Sequence, residues 1–147
     1  MKFNVVFPTK WADFDPNRHM RHTAYNDYAA EVRARFFKDQ GFSMEIFAKE
    51  NLGPILFKEE TSFYKEIHMG ENITVALSLK AVSKNLERWK LEHHIFNEAG
   101  KLSAVVNVYG AWIDLHKRKL AVPSEKFRAL FSSLDKAADF EEILLKS

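Results

Sequence analysis

Two aspartates, Asp13 and Asp15, close the apolar run that opens this chain. Pro16 follows, then His19 and His22, then an amphipathic stretch. A carboxylate in such a place can activate water as a general base or attack an acyl carbon directly. If a helix begins just beyond it, the free N–H groups of the first turn can hold a developing oxyanion. The competing reading is turn chemistry, because Asp-Pro and Asp-x-x sequences cap and turn chains without any catalysis. His19 and His22 have ligand-like spacing. No third strong ligand lies near them in sequence, and His93 and His94 would point to opposite faces of a strand, so no metal is assigned. Glu59 and Glu60 sit mid-strand, where carboxylates are disfavoured. Glu60 is therefore either a second acid at a site or an exposed edge residue. Arg88, Lys90 and the run His116-Lys117-Arg118-Lys119 can meet ligand phosphates or simply be solvated.

The elements that must position these groups follow from periodicity. Phe3, Val5 and Phe7 alternate in a strand over residues 3 to 11, with Pro8 marking an edge or a bulge. Tyr25, Tyr28, Ala29, Val32 and Phe36 form one stripe of a helix over 24 to 39, with Thr23 as N-cap and Gly41 as stop. A short helix covers 43 to 50. Four strand-like segments follow, at 55 to 67, 72 to 82, 88 to 97 and 102 to 115. They are joined by Met69-Gly70-Glu71-Asn72 and by the hairpin Asn97-Glu98-Ala99-Gly100. The last strand is apolar on both faces and reads as central. Pro123 and Ser124 open a helix near 125 to 133, and Ala137, Phe140, Ile143 and Leu144 predict another over 136 to 146. One strand, a long helix and four consecutive strands make an α+β domain, a largely antiparallel sheet cradling the helix.

The 147 residues suit a single domain, with its core over about 3 to 130 and a C-terminal helical extension over about 124 to 146. A formal charge of +2, from 22 Lys and Arg against 20 Asp and Glu, leaves no basic stripe for nucleic acid. The absence of cysteine excludes disulfides, thiolate metal sites and a Cys nucleophile, and it is compatible with the cytosol. No leader segment and no apolar run of membrane-spanning length is visible. Glycine occurs only 5 times, with neither a phosphate loop nor a Gly-x-Ser-x-Gly elbow. The 13 phenylalanines suggest a bulky core, an oligomer interface or an apolar ligand channel.

The segment Asp13-Phe14-Asp15-Pro16-Asn17-Arg18-His19-Met20-Arg21-His22-Thr23-Ala24-Tyr25 resembles the Asp-x-Asp-x-x-Gly-His-Val-Asn-Asn-x-x-Tyr motif of hotdog-fold acyl-CoA thioesterases of the 4-hydroxybenzoyl-CoA thioesterase type. Phe63 to Glu71, and Ala111 to Leu115 with the basic run and Pro123, are similar to that family's later strands and turns. Arg18 stands where the family has Gly, and Arg21 and His22 stand where it has two Asn. The resemblance implies that Asp15 is the catalytic carboxylate and that the backbone N–H near His22 polarises the thioester carbonyl. It implies that His19 and Tyr25 shape the site and that the helix's aromatic stripe borders an acyl channel. Glu60, Arg88, Lys90, Lys117 and Arg118 become candidate substrate contacts, the basic ones toward CoA phosphates. It further implies a cytoplasmic homodimer or homotetramer that needs no cofactor and acts on acyl-CoA or an acyl-carrier protein. The same fold also hosts dehydratases and hydratases, and a non-catalytic acyl-thioester binding module is a third reading.

Overall fold

The alternation in 72 to 82 becomes a strand with Ile73, Val75, Leu77, Leu79 and Ala81 buried on one face. The computed structural model describes residues 1–146. Its elements are β1 (Phe3–Pro8), α1 (His22–Asp39), α2 (Met44–Lys49), β2 (Leu52–Phe63), β3 (Asn72–Val82), β4 (Arg88–Phe96), β5 (Leu102–Asp114), β6 (Lys119–Ala121), α3 (Glu125–Ser132) and β7 (Lys136–Glu142). A single 3-10 turn, Trp11–Asp13, joins β1 to the loop before α1. The principal sheet order is β1-β3-β4-β5-β2, every neighbour antiparallel.

Helix α1 lies on the sheet through the predicted stripe. Tyr25, Tyr28, Ala29, Val32 and Phe36 are all buried, joined by Phe37. Ala24 and Ala29 are fully buried, so small side chains let the helix sit close to the strands. The helix starts two residues earlier than periodicity suggested, with Arg21 rather than Thr23 in the N-cap position. Gly41 follows its end with φ +89, a left-handed conformation that suits glycine.

A second core layer is aromatic. Trp112 packs against Trp89, Phe37, Phe47, Phe127 and Phe131, which fastens α2 and α3 to one end of the sheet. Gly110 makes room for it: a Cβ there would meet the Ile55 carbonyl oxygen at 2.5 Å and the Trp89 ring at 2.6 Å.

The predicted helix over 136 to 146 is not formed. Residues 136–142 make β7, which pairs parallel with β3 through Leu79, Ala81 and Val82. The cause is a vacant edge. β1 covers β3 only as far as Leu77, so the rest of that edge would leave backbone groups unpaired. The N-terminal amine bonds to the Asp135 carboxylate at 2.7 Å, and Asp135 N–H donates to the Met1 carbonyl at 3.0 Å. These contacts set β7 in continuation of β1, and tertiary pairing overrides local helical preference.

Candidate active site

Asp13 and Asp15 are two residues apart but have different surroundings. Asp13 is buried; its Oδ2 accepts from Lys10 N–H at 2.8 Å and from the Tyr28 hydroxyl. Its carbonyl accepts from Arg21 N–H at 2.8 Å, which ties the start of α1 to the 3-10 turn. Burial, then the bond to Asp13, pushes the Tyr28 phenol above its ordinary range. Asp13 is thus a fastener between β1, the turn and α1.

Asp15 heads a tight hairpin. Its N–H donates to the His19 carbonyl at 3.0 Å, its carbonyl accepts from Arg18 N–H at 2.9 Å, and Phe14 bridges Met20. Carboxylate Oδ1 accepts from Asn17 N–H at 2.9 Å and from His19 N–H at 3.3 Å. Oδ2 makes no hydrogen bond among the described residues. It belongs to a half-buried group lining a cleft of about 770 Å³ with Trp11, Phe14, Arg18, His68 and Met69. One oxygen is held and the other is left for a ligand or water. At the start of α1 the N–H groups of His22 and Thr23 have no acceptor among the described residues, so the helix end retains donors for an anion.

The backbone at Arg18 shows why the motif has glycine at this position. Its φ is +66, the left-handed region where glycine is unstrained. Arg18→Gly is expected to raise unfolding free energy by up to about 1 kcal/mol, read as a higher denaturant midpoint. An unchanged midpoint would mean that contacts of the arginine side chain offset the strain.

The other predicted residues divide by place. Tyr25 is buried edge-on against Phe63, ring centroids 5.0 Å apart. Burial, then the charges of Glu66 and Glu71, raises its phenol pKa. His19 turns its Nε2 to Glu66, at 3.1 Å. Glu60 is exposed on β2, with its carboxylate 3.7 Å from the Lys58 amine. Arg88 and Lys90 are not with Asp15 in this chain. Asp15 lies beyond the β1 end paired with Asn72, whereas Val82 pairs with Trp89, about 30 Å further along β3 at the strand rise. Arg88 stacks on Phe57 at 4.8 Å and donates to the Tyr109 hydroxyl at 3.1 Å, and Lys90 lies 5.4 Å from the Tyr109 ring. Lys117 and Arg118 sit in the β5–β6 turn at that same distant end, where the Asp114 carboxylate accepts from Lys117 and His116 N–H at 2.8 and 2.9 Å. Those bonds, Lys117 first, hold its carboxyl pKa below the usual range.

Sequence reading placed an apolar channel along the aromatic stripe of the helix and missed the pairing of Arg33 with His93. A mainly apolar cavity of about 1040 Å³ runs beside α1, lined by Ala30, Arg33, Ala34, Phe37, Leu52 and Trp89 among others. It borders the helix face next to the aromatic stripe, since the stripe itself is packed into the core. Arg33 lines that cavity and reaches His93 Nε2 at 3.2 Å, while His93 Nδ1 bonds the Val106 carbonyl at 2.8 Å. Alternation on β4 does place His93 on the buried face with Leu91 and Ile95.

The family model of the thioesterase-like superfamily matches residues 9–131, which include the Asp15 hairpin, α1, α2 and strands β2 to β6. The chain belongs to the thioesterase-like superfamily. It is accordingly a thioester hydrolase with the expected hotdog arrangement. Among solved structures it is similar to a Staphylococcus aureus hypothetical protein in complex with CoA, at 21% identity and TM-score 0.83 over 99% of this chain and 90% of that one. A DHNA-CoA thioesterase from Staphylococcus aureus superposes at TM-score 0.80 with 18% identity, over 90% and 89% of the chains. A 1,4-dihydroxy-2-naphthoyl-CoA thioesterase from Synechocystis gives TM-score 0.80 and 18% identity, over 93% and 100%. No curated protein matches the chain. No described helix of this superfamily member is long and apolar enough to cross a membrane.

Proposed function

We propose that this superfamily member is a cytoplasmic acyl-CoA thioesterase in which Asp15 delivers water to the thioester carbonyl, or attacks it, while the N–H groups at the start of α1 hold the oxyanion. The observation that carries this reading is the asymmetric Asp15 carboxylate, with Oδ1 held by two backbone donors and Oδ2 open to the cleft. A rigid base with one free oxygen can accept a proton from water without reorganising. His19 serves through its backbone N–H, and its imidazole faces Glu66.

The basic residues enter through a second copy. β2 is a twelve-residue edge strand with Leu56, Phe57 and Phe63 exposed, followed by exposed Tyr64. Such an edge is completed by pairing with its own copy about a two-fold axis. Antiparallel pairing of two β2 strands would bring the Phe63 end of one toward the Leu52 end of the other. The Asp15 end of one protomer would then face the basic end of its partner, the end that carries Arg88 and Lys117 in each chain. The CoA carried by one structural neighbour, and the CoA thioesters named for two others, support this substrate class.

The test is release of free thiol from a panel of short, long and aromatic acyl-CoAs, with the oligomeric state measured by sedimentation. Saturable thiol release by a dimer or larger assembly is expected. An acyl-CoA that binds and survives intact would replace the reading with a binding module, and hydration of an enoyl thioester would replace it with a hydratase.

A further inference from the structure

His19, Glu66 and His68 converge on one point at the rim of the Asp15 cleft. His19 Nε2 and His68 Nε2 lie 3.1 and 4.0 Å from Glu66 Oε2, and one ligand atom from each residue falls within 4.8 Å of the others. The imidazole planes cross at 66°, with ring centroids 5.4 Å apart. The backbone brings them together: His19 and His68 form an antiparallel bridge, flanked by Met20 N–H on the Ile67 carbonyl at 2.9 Å and Met69 N–H on the Arg18 carbonyl at 3.3 Å. Glu66 has no Lys or Arg ion partner among the described residues; its ion-pair contacts there are to the two imidazoles.

We propose that these three residues bind a divalent transition metal of the Zn²⁺ class, clasping the Asp15 hairpin to the β2–β3 connection. Two imidazole nitrogens and one carboxylate oxygen suit zinc and its neighbours far better than Mg²⁺ or Ca²⁺, which favour all-oxygen shells. Ligand bonds of about 2.0–2.1 Å put tetrahedral donors roughly 3.3 Å apart. The His19–Glu66 pair already meets that spacing, and the exposed Glu66 and His68 side chains close the remainder by rotation. Three protein ligands leave a fourth position for water. Because His19 N–H also holds Asp15 Oδ1, the ion would stiffen the hairpin that carries the carboxylate.

The site stands on its own geometry, and its test does not use turnover. Metal-stripped, tag-free protein is titrated calorimetrically with Zn²⁺, with Mg²⁺ in parallel, and its thermal midpoint is followed. Co²⁺ supplies a visible spectrum that reports ligand geometry on the wild type alone. One Zn²⁺ per chain, a raised midpoint, no response to Mg²⁺ and a tetrahedral Co²⁺ spectrum are expected. Glu66→Gln and His68→Ala, both on the surface, should each weaken Zn²⁺ by more than the roughly 10–100-fold that loss of an outer-shell partner costs. His116→Ala should leave the affinity unchanged. Absence of saturable Zn²⁺ binding to the wild type, or binding undiminished in both variants, overturns the proposal. Either result would leave a His–Glu hydrogen-bonded pair with no metal role.

Discussion

Asp15→Asn is expected to lower kcat for acyl-CoA hydrolysis by about 10²- to 10⁴-fold, the range typical of a positioned general base. The substitution is informative because it changes little else. Asn retains an acceptor oxygen for the Asn17 and His19 N–H groups, so the hairpin keeps its bonds. What it loses is the capacity to take a proton or attack a carbon. The fall should therefore lie in kcat with KM little altered, the pattern of an interaction made in the transition state. Asp13→Asn tests the contrast. Asp13 is buried under Tyr28 and Lys10, so its loss should appear as lowered stability rather than as a specific loss of turnover.

The second large effect is on stability against pH. His93 is completely buried, and its pKa is pulled from 6.5 down to about 3 by burial first and by the Arg33 guanidinium second, with His94 adding to the effect and the Val106 bond opposing it. A histidine kept neutral in the fold but free to protonate when unfolded stabilises the fold fully above pH 6.5. That contribution is lost as pH falls from 6.5 toward 3, at up to about 1.4 kcal/mol per unit. His93→Gln supplies an acceptor for Arg33 and a donor for the Val106 carbonyl but does not titrate. Denaturant unfolding between pH 7 and pH 4.5 should show the wild type losing stability steeply and the variant losing markedly less. Parallel curves would mean that His93 is no more buried from protons in the fold than in the unfolded chain. Glu87 and Asp114, whose carboxyls are held low, also lose stabilisation as pH falls toward their ordinary range, but they are common to wild type and variant and cancel from the difference between the two curves.

The parts of the fold that were legible in the sequence are those where one chain segment decides its own state. Ile73, Val75, Leu77 and Leu79 alternate, and Tyr25 to Phe36 recur at helical spacing, because each segment buries one face. Pro8 falls on an edge strand, as its missing donor requires. β7 was not legible because its state depends on an edge that β1 leaves bare. Lys136 to Glu142 carry no alternation strong enough to announce a strand. Asp15 was singled out by the motif around it, and the left-handed turn position accounts for the glycine of the motif rather than for Arg18 here. The meeting of His19 with Glu66 and His68, and of Arg33 with His93, joins residues more than forty positions apart, beyond the reach of local spacing. The separation of Arg88 and Lys117 from Asp15 came from strand direction, which only the pairing register fixes.

The account turns on Asp15 acting on a bound thioester, and single-turnover thiol release tests it most directly. Wild type and Asp15→Asn, each saturated with the best acyl-CoA of the panel and each with its affinity measured independently, are compared for the rate of CoA release. The predicted result is equal binding with release slowed by at least about 10²-fold in the variant. Equal binding with release within a few-fold of wild type would contradict the account, because the chemistry would then reside in another group.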